Sequence, residues 1–209
     1  MTDIAPALGV LAGVLGVAAM VPYVRDTARG ATRPHRGTWL IWGSLAIVVW
    51  LSQRADGASW SLLLASGQVA LDLVVVLLAI RRGEGGLGPG DGVMLAIAGG
   101  GVIGWIVAGE PIVAVACVIA ADLTATALMA PKAYRDPDSE TVATYVGASV
   151  AGALAAGAVG APDVSLLLYP LYCCAVNAAT ACLIGHRRGV LARQPSRWPV
   201  GPRGVAQAP

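Results

Sequence analysis

The sequence predicts an all-α integral membrane protein of seven transmembrane helices in a 3+1+3 parallel-repeat arrangement, N-terminus outside and C-terminus inside. Three observations carry that expectation. Of 209 residues, 56% are hydrophobic and only 12% are charged, with a mean hydropathy of +0.71. A soluble domain carries about 25% charge, so too little polar surface is left to coat a globule, which argues against a very apolar soluble α/β protein. Several apolar runs approach the ~20 helical residues needed to cross a hydrocarbon core. Finally, thirteen of the fourteen lysine and arginine residues fall on one side of the spans those runs define.

The spans read, in order, at 4–23, 38–53, 59–80, 92–109, 111–130, 141–160 and 164–185. None alternates apolar with polar residues, so barrel strands are excluded and helices remain. The first span follows "MTDIAP", which lacks the basic region of a cleaved signal, so it reads as a retained helix. The second is short. The third ends in Arg81-Arg82 and the seventh in Arg187-Arg188. Odd-numbered loops and the tail hold every basic residue except Arg54, and the positive-inside rule turns that side inward. Phe is absent and Arg exceeds Lys 13 to 1, a composition typical of a high-GC bacterium, so the expected location is the bacterial inner membrane. The tail, 187–209, is rich in Pro, Gly and Arg and reads as a disordered cytoplasmic segment along the lipid headgroups. Its arginines serve topology, and no nucleic-acid partner is expected. Cys117, Cys173, Cys174 and Cys182 lie in apolar runs without a CxxC spacing or a nearby His, so neither a zinc site nor a disulfide framework is indicated, and no cofactor.

An internal repeat organises the spans. "AMVPYVRD" at 19–26 returns as "LMAPKAYRD" at 128–136, pairing Pro22 with Pro131 and, after one extra residue, Arg25-Asp26 with Arg135-Asp136. Thr38 and Trp42 then match Thr141 and Tyr145. "SWSLLLASGQVALDL" parallels "DVSLLLYPLYCCAVN", which sets Asp72 opposite Asn177. Residues 1–83 and 111–186 thus read as two three-helix units. Residues 84–110 read as a Gly-rich linker helix that restores orientation between them, a known transporter plan.

This pattern resembles the PQ-loop superfamily, which includes the SWEET sugar transporters, cystinosin-type amino-acid exporters and the KDEL receptor. The resemblance covers about residues 4–185. The family's Pro-Gln is here Pro22-Tyr23 and Pro131-Lys132, and "TRPHRGTWLIW" points to an uncharacterised bacterial branch. The resemblance implies that Pro22 and Pro131 are hinges for an inner gate. It also implies that the asparagine position of each third helix, here Asp72 and Asn177, lines a solute site.

Polar groups at mid-membrane depth are costly and usually face a cavity or the bundle interior. Asp72, Asp122 and Asn177 lie near the centres of their spans. Gln68 is one turn before Asp72, on the same face, and Cys173 holds the matching place before Asn177. Asp122 aligns with Gly13 and has no acidic twin. Thr124, Thr126 and Tyr172 are candidates to complete cavity hydrogen bonds, and Trp42 and Tyr145 to stack on a ring-shaped solute; the plainer alternatives are backbone bonding and interfacial anchoring. Pro22 and Pro131 near span ends also fit simple helix termination. Gly9, Gly13 and Gly16, with Ala148, Gly152 and Ala156, read as close-packing positions. Ser139 or Asp138 is expected to cap the sixth span with Glu140 in its first turn. The loop "RDTARGATRPHRG" is expected to pair with "RDPDSE" across the inner mouth.

The function these features favour is a small-polar-solute transporter working by alternating access, with proton coupling an option because the aspartates can bind protons. Gln68, Asp72, Asp122, Tyr172, Asn177, Trp42 and Tyr145 form the expected site. A membrane receptor or scaffold is the alternative. An integral-membrane enzyme ranks below both, since no nucleophile–base pair or HExxH motif occurs and no catalytic residue is named. The expected partners are a small polar solute and the lipid bilayer, with a homo-oligomer open.

Overall fold

The computed structural model describes residues 4–55, 60–85, 111–160 and 164–193, together with six helical positions between 96 and 107. Among these residues the chain is all-helical and contains no strand. Six α-helices follow in order: α1 (Ile4–Arg29), α2 (Arg36–Ala55), α3 (Trp60–Arg82), α4 (Pro111–Arg135), α5 (Val142–Ala158) and α6 (Val164–Ala192), with a 3-10 turn at Pro137–Ser139 before α5. The expected linker helix at 92–109 lies, apart from those six positions, outside the described residues, as does the tail beyond 193.

Three helical stretches are long and apolar enough to cross a membrane: Ile4–Arg29, Val115–Arg135 and Leu166–Ala192, with mean hydropathies of 2.3, 1.4 and 1.7. Their apolar side chains point outward. In the most apolar part of α1 only 17% of residues are buried, and Val10, Leu77, Ile80, Val164 and Leu166 are each well exposed. So much exposed apolar surface is untenable in water and is the ordinary exterior of a protein in lipid.

The helix ends differ from the expected span ends. Pro22 and Pro131 do not terminate their helices. α1 continues to Arg29 and α4 to Arg135, with both prolines inside. A helix proline forfeits one backbone bond, which is survivable, so each helix runs on to a stronger stop. For α1 that stop is Gly30 at φ +78°. Its N–H bonds Thr27 O at 3.0 Å and the Ala31 N–H bonds Asp26 O at 2.9 Å, a Schellman closure that only a left-handed residue permits. For α4 the stop is Pro137, which disfavours helix at the residue before it. α6 also overruns its expected end at 185 and reaches Ala192, so the first residues of the expected tail are helical.

The helices close a ring. α1 packs on α3 and α5, α2 on α3 and α4, and α6 on α4 and α5. Among the described residues each helix touches two neighbours, and the set of contacts maps onto itself when α1, α2, α3 exchange with α4, α5, α6. Among the same residues α1 and α4 do not pack on one another. The tightest seams involve glycine. A Cβ on Gly152 would lie 2.6 Å from Cys174 N and 2.9 Å from Pro170 O, and one on Gly147 would lie 2.6 Å from the Ala19 methyl. These glycines let α5 approach α6 and α1 closely. Gly16, expected at such a seam, has nothing within 4 Å of its would-be Cβ.

Candidate functional site

Inside the ring is a cavity of about 630 Å³ lined by all six helices. The positions that the repeat sets opposite one another face it together: Gly13 with Asp122, Gln68 with Cys173, Asp72 with Asn177, and Trp42 with Tyr145. Of the seven solute-site residues expected from the sequence, only Tyr172 is not in the wall, and it donates a hydrogen bond to Asp122 Oδ2 at 2.5 Å. Gln68 Nε2 donates to Asp72 Oδ1 at 2.9 Å, the one-turn pair on α3. Asp72 is only 6% exposed. Asn177 is turned toward its own helix, donating to Cys173 O at 2.9 Å. Thr124 does the same to Ala120 O at 2.7 Å, while Thr126 faces the cavity.

Two groups in the wall lack hydrogen-bond partners. The Trp42 indole N–H sits near the Asp122 carboxyl but reaches no hydrogen-bond geometry. Thr144 is 6% exposed and its buried hydroxyl also has no partner. Tyr169, which the sequence reading passed over, joins the wall, with its ring 6.2 Å from that of Tyr172. Gly9, Gly13 and Gly16 line the cavity too; a Cβ on Gly9 would still touch Ala158 of α5 at 3.8 Å, whereas Gly16 only makes room. Among the described residues no three His, Cys, Asp or Glu side chains gather as a metal site, and the four cysteines are free.

One end of the cavity rests on a polar node. Trp39 and Tyr145, both in the wall, connect to Glu140, whose side chain is 0% exposed. Tyr145 donates its hydroxyl proton to Glu140 Oε2 at 2.9 Å. Tyr23 donates to the same oxygen at 3.1 Å and accepts from Trp39 Nε1 at 3.0 Å. Lys132 Nζ donates to Oε1 at 2.6 Å and to Ser139 O at 3.3 Å; its side chain is 8% exposed. The rings stack as well, with Tyr23 and Trp39 centroids 4.7 Å apart and Trp39 edge-on to Trp42 at 5.1 Å. Burial pushes the Glu140 carboxyl above the usual glutamate range, against the pull of the Lys132 ammonium and the two tyrosine hydroxyls.

Glu140 is therefore not the first-turn residue the sequence suggested. The residue at the N-cap of α5 is Thr141, which makes no side-chain cap bond. Ser139 turns instead to Asp136 O at 2.7 Å. A buried cation on another helix outbids the local attraction of a helix terminus. The surrounding loops join as well. The Arg33 guanidinium pairs with both Asp136 and Glu84, and Arg33 N–H bonds Ser139 O at 3.0 Å. Thr32 and Thr141 share a hydrogen bond at 2.6 Å, and Thr141 also donates to Asp26 Oδ2 at 3.2 Å. Arg188 of α6 reaches Glu140 O at 2.6 Å. Arg33 after α1, Glu84 after α3, Lys132 of α4 and Arg188 of α6 thus gather around one cluster.

Together the fold and site define an all-helical protein of membrane type, with an acidic, aromatic-walled cavity resting on a buried ion pair. Compared with family models, curated proteins and solved structures, the chain gives no match.

Proposed function

We propose that this protein is a seven-span carrier of small polar solutes in a bacterial inner membrane, built from two three-helix units that alternate access to a central site, on the plan of the PQ-loop superfamily. The observation that carries this reading is the cavity at the ring centre, into which residues equivalent by the sequence repeat project from both units. In a membrane a buried aspartate is costly unless it faces a cavity or a partner, and Asp72 and Asp122 both line this one. The positive-inside bias directs the basic cluster around Glu140 to the cytoplasm. In that orientation the node is a closed inner gate, and the helix prolines Pro22 and Pro131, one residue before Tyr23 and Lys132, are its hinges. Gate opening separates those two residues from Glu140, and either aspartate can carry the coupling proton.

A receptor with a fixed pocket is the second reading, favoured by the complete hydrogen bonding of Glu140, which suits a lock as well as a gate. Uptake into proteoliposomes decides between them, screened over sugars, amino acids and organic cations, with and without a pH gradient. Flux of any of these that is lost in Asp72→Asn and Asp122→Asn is the result expected of the carrier. Ligand binding with no flux leaves the receptor. Flux that persists unchanged in both variants removes the aspartates from the coupling mechanism.

A further inference from the structure

We infer that the cavity's occupant is a small organic cation, an amine or quaternary ammonium with an apolar body, whose charge lies against Asp72 and Asp122. The inference deepens the carrier reading and rests on it. The cavity wall holds two carboxyl groups and, among the described lining residues, no lysine, arginine or histidine. Neither aspartate belongs to an ion pair among the described residues. The side chains that hydrogen-bond them, Gln68 and Tyr172, are neutral. They orient the carboxyls and leave charge balance unmet. The one lysine of the chain is tied to Glu140 and cannot serve as their counterion.

A bare acidic pair is also compatible with protons alone, and two further features favour a ligand. Four aromatic side chains, Trp39, Trp42, Tyr145 and Tyr169, share the wall, and ring faces attract cations, quaternary ammonium groups above all. The remaining wall is small or apolar, with Gly16 bordered by open space, so the cavity offers room for an uncharged body beside the charge. A neutral sugar finds few unengaged donors here, because Asn177 and Thr180 in the wall donate to carbonyls of their own helix.

The test uses full-length protein purified in detergent and a set of probes of matched shape: phenethylamine, 2-phenylethanol and phenylacetate, with tetraethylammonium as a ringless cation. Equilibrium binding and ligand-induced thermal stabilisation are both measured. The expected result is that phenethylamine binds at least about tenfold tighter than 2-phenylethanol, one charge–charge contact being worth roughly that much. Phenylacetate does not bind. Asp122→Asn and Asp72→Asn each weaken the ammonium probes by a similar factor and leave 2-phenylethanol unchanged. Equal binding of amine and alcohol overturns the inference, as does undiminished amine binding in both variants. If a variant fails to fold, the amine-to-alcohol ratio of the unaltered protein still decides. The carrier reading fails separately: charge-selective binding without uptake of any cation sinks transport and keeps the ligand class, whereas uptake of sugar with no cation binding does the reverse.

Discussion

Tyr23 and Lys132 each follow a proline inside a helix, Pro22 in α1 and Pro131 in α4, and both hydrogen-bond the carboxylate of Glu140. Among the described residues the helices that carry them do not pack together, so this shared carboxylate bridges the ring. The two partners differ in kind: one brings a hydroxyl, the other a charge. The Glu140 position itself has no twin, because the matching residue before Thr38 is Gly37.

Removing the charge of Lys132 strands Glu140. With that side chain 0% exposed, an unpaired buried carboxylate costs about 3–5 kcal/mol. Lys132→Met is therefore expected to lower the thermal unfolding midpoint of the detergent-solubilised protein sharply at neutral pH. Glu140→Gln added to Lys132→Met recovers most of that loss. A double variant no more stable than Lys132→Met alone shows that the pair is not the source of the effect.

Tyr23→Phe removes one hydroxyl and leaves two groups short: the Trp39 indole N–H loses its acceptor and Glu140 loses a donor. A loss of about 1–3 kcal/mol is expected, measured by the same unfolding assay. Tyr134→Phe, at an exposed position, serves as the control, with a change inside about 0.5 kcal/mol.

The pH dependence follows from the raised Glu140 value. The folded state favours the protonated acid more than the unfolded chain does. This group's contribution is thus fully present below the ordinary glutamate range and is lost as pH rises through the higher folded value. Stability measured from acidic to neutral pH should carry a downward step in that window, and Glu140→Gln should abolish the step. A step of the same size in the variant assigns it to another group.

Glycine positions divide by what surrounds them. Gly152→Ala pushes a methyl against the backbone of α6 and is expected to destabilise by about 1–3 kcal/mol. Gly16→Ala enters open space and gains helix propensity, so it folds at least as well, by about 0.5–1 kcal/mol. Gly16→Leu then fills part of the cavity without touching the fold. Under the proposed carrier function its prediction is lost uptake at normal stability, read by proteoliposome flux beside an unfolding curve.

The positions of the six described helices were legible in the sequence because apolar runs of that length have few other fates, whereas their ends were not. Proline is a weak stop once a helix is surrounded by lipid, and the signals that prevailed were Gly30 and Pro137, both outside the apolar runs. The face of α3 was readable from the i, i+4 spacing of Gln68 and Asp72, and that of α4 from a lone acidic residue. Tyr169 could have been found in the same way, three residues before Tyr172. Glu140 was hidden because its partner comes from another helix and local rules offered it a satisfactory place at the start of α5. The hint was the only lysine in the chain, standing directly after a helix proline. Small residues on α1 were ambiguous in principle, since a glycine admits either a neighbouring backbone or empty space and composition cannot tell which.

The bridge over Glu140 sets how seldom the two sides of the ring drift apart unaided. Breaking the bonds from Tyr23 and Lys132 costs about 1.5–3 kcal/mol apiece, which leaves fewer than about one molecule in a hundred in the parted form at any moment. Under the proposed carrier cycle, whatever binds in the centre must prefer that rare form by at least a comparable factor before it becomes the common one.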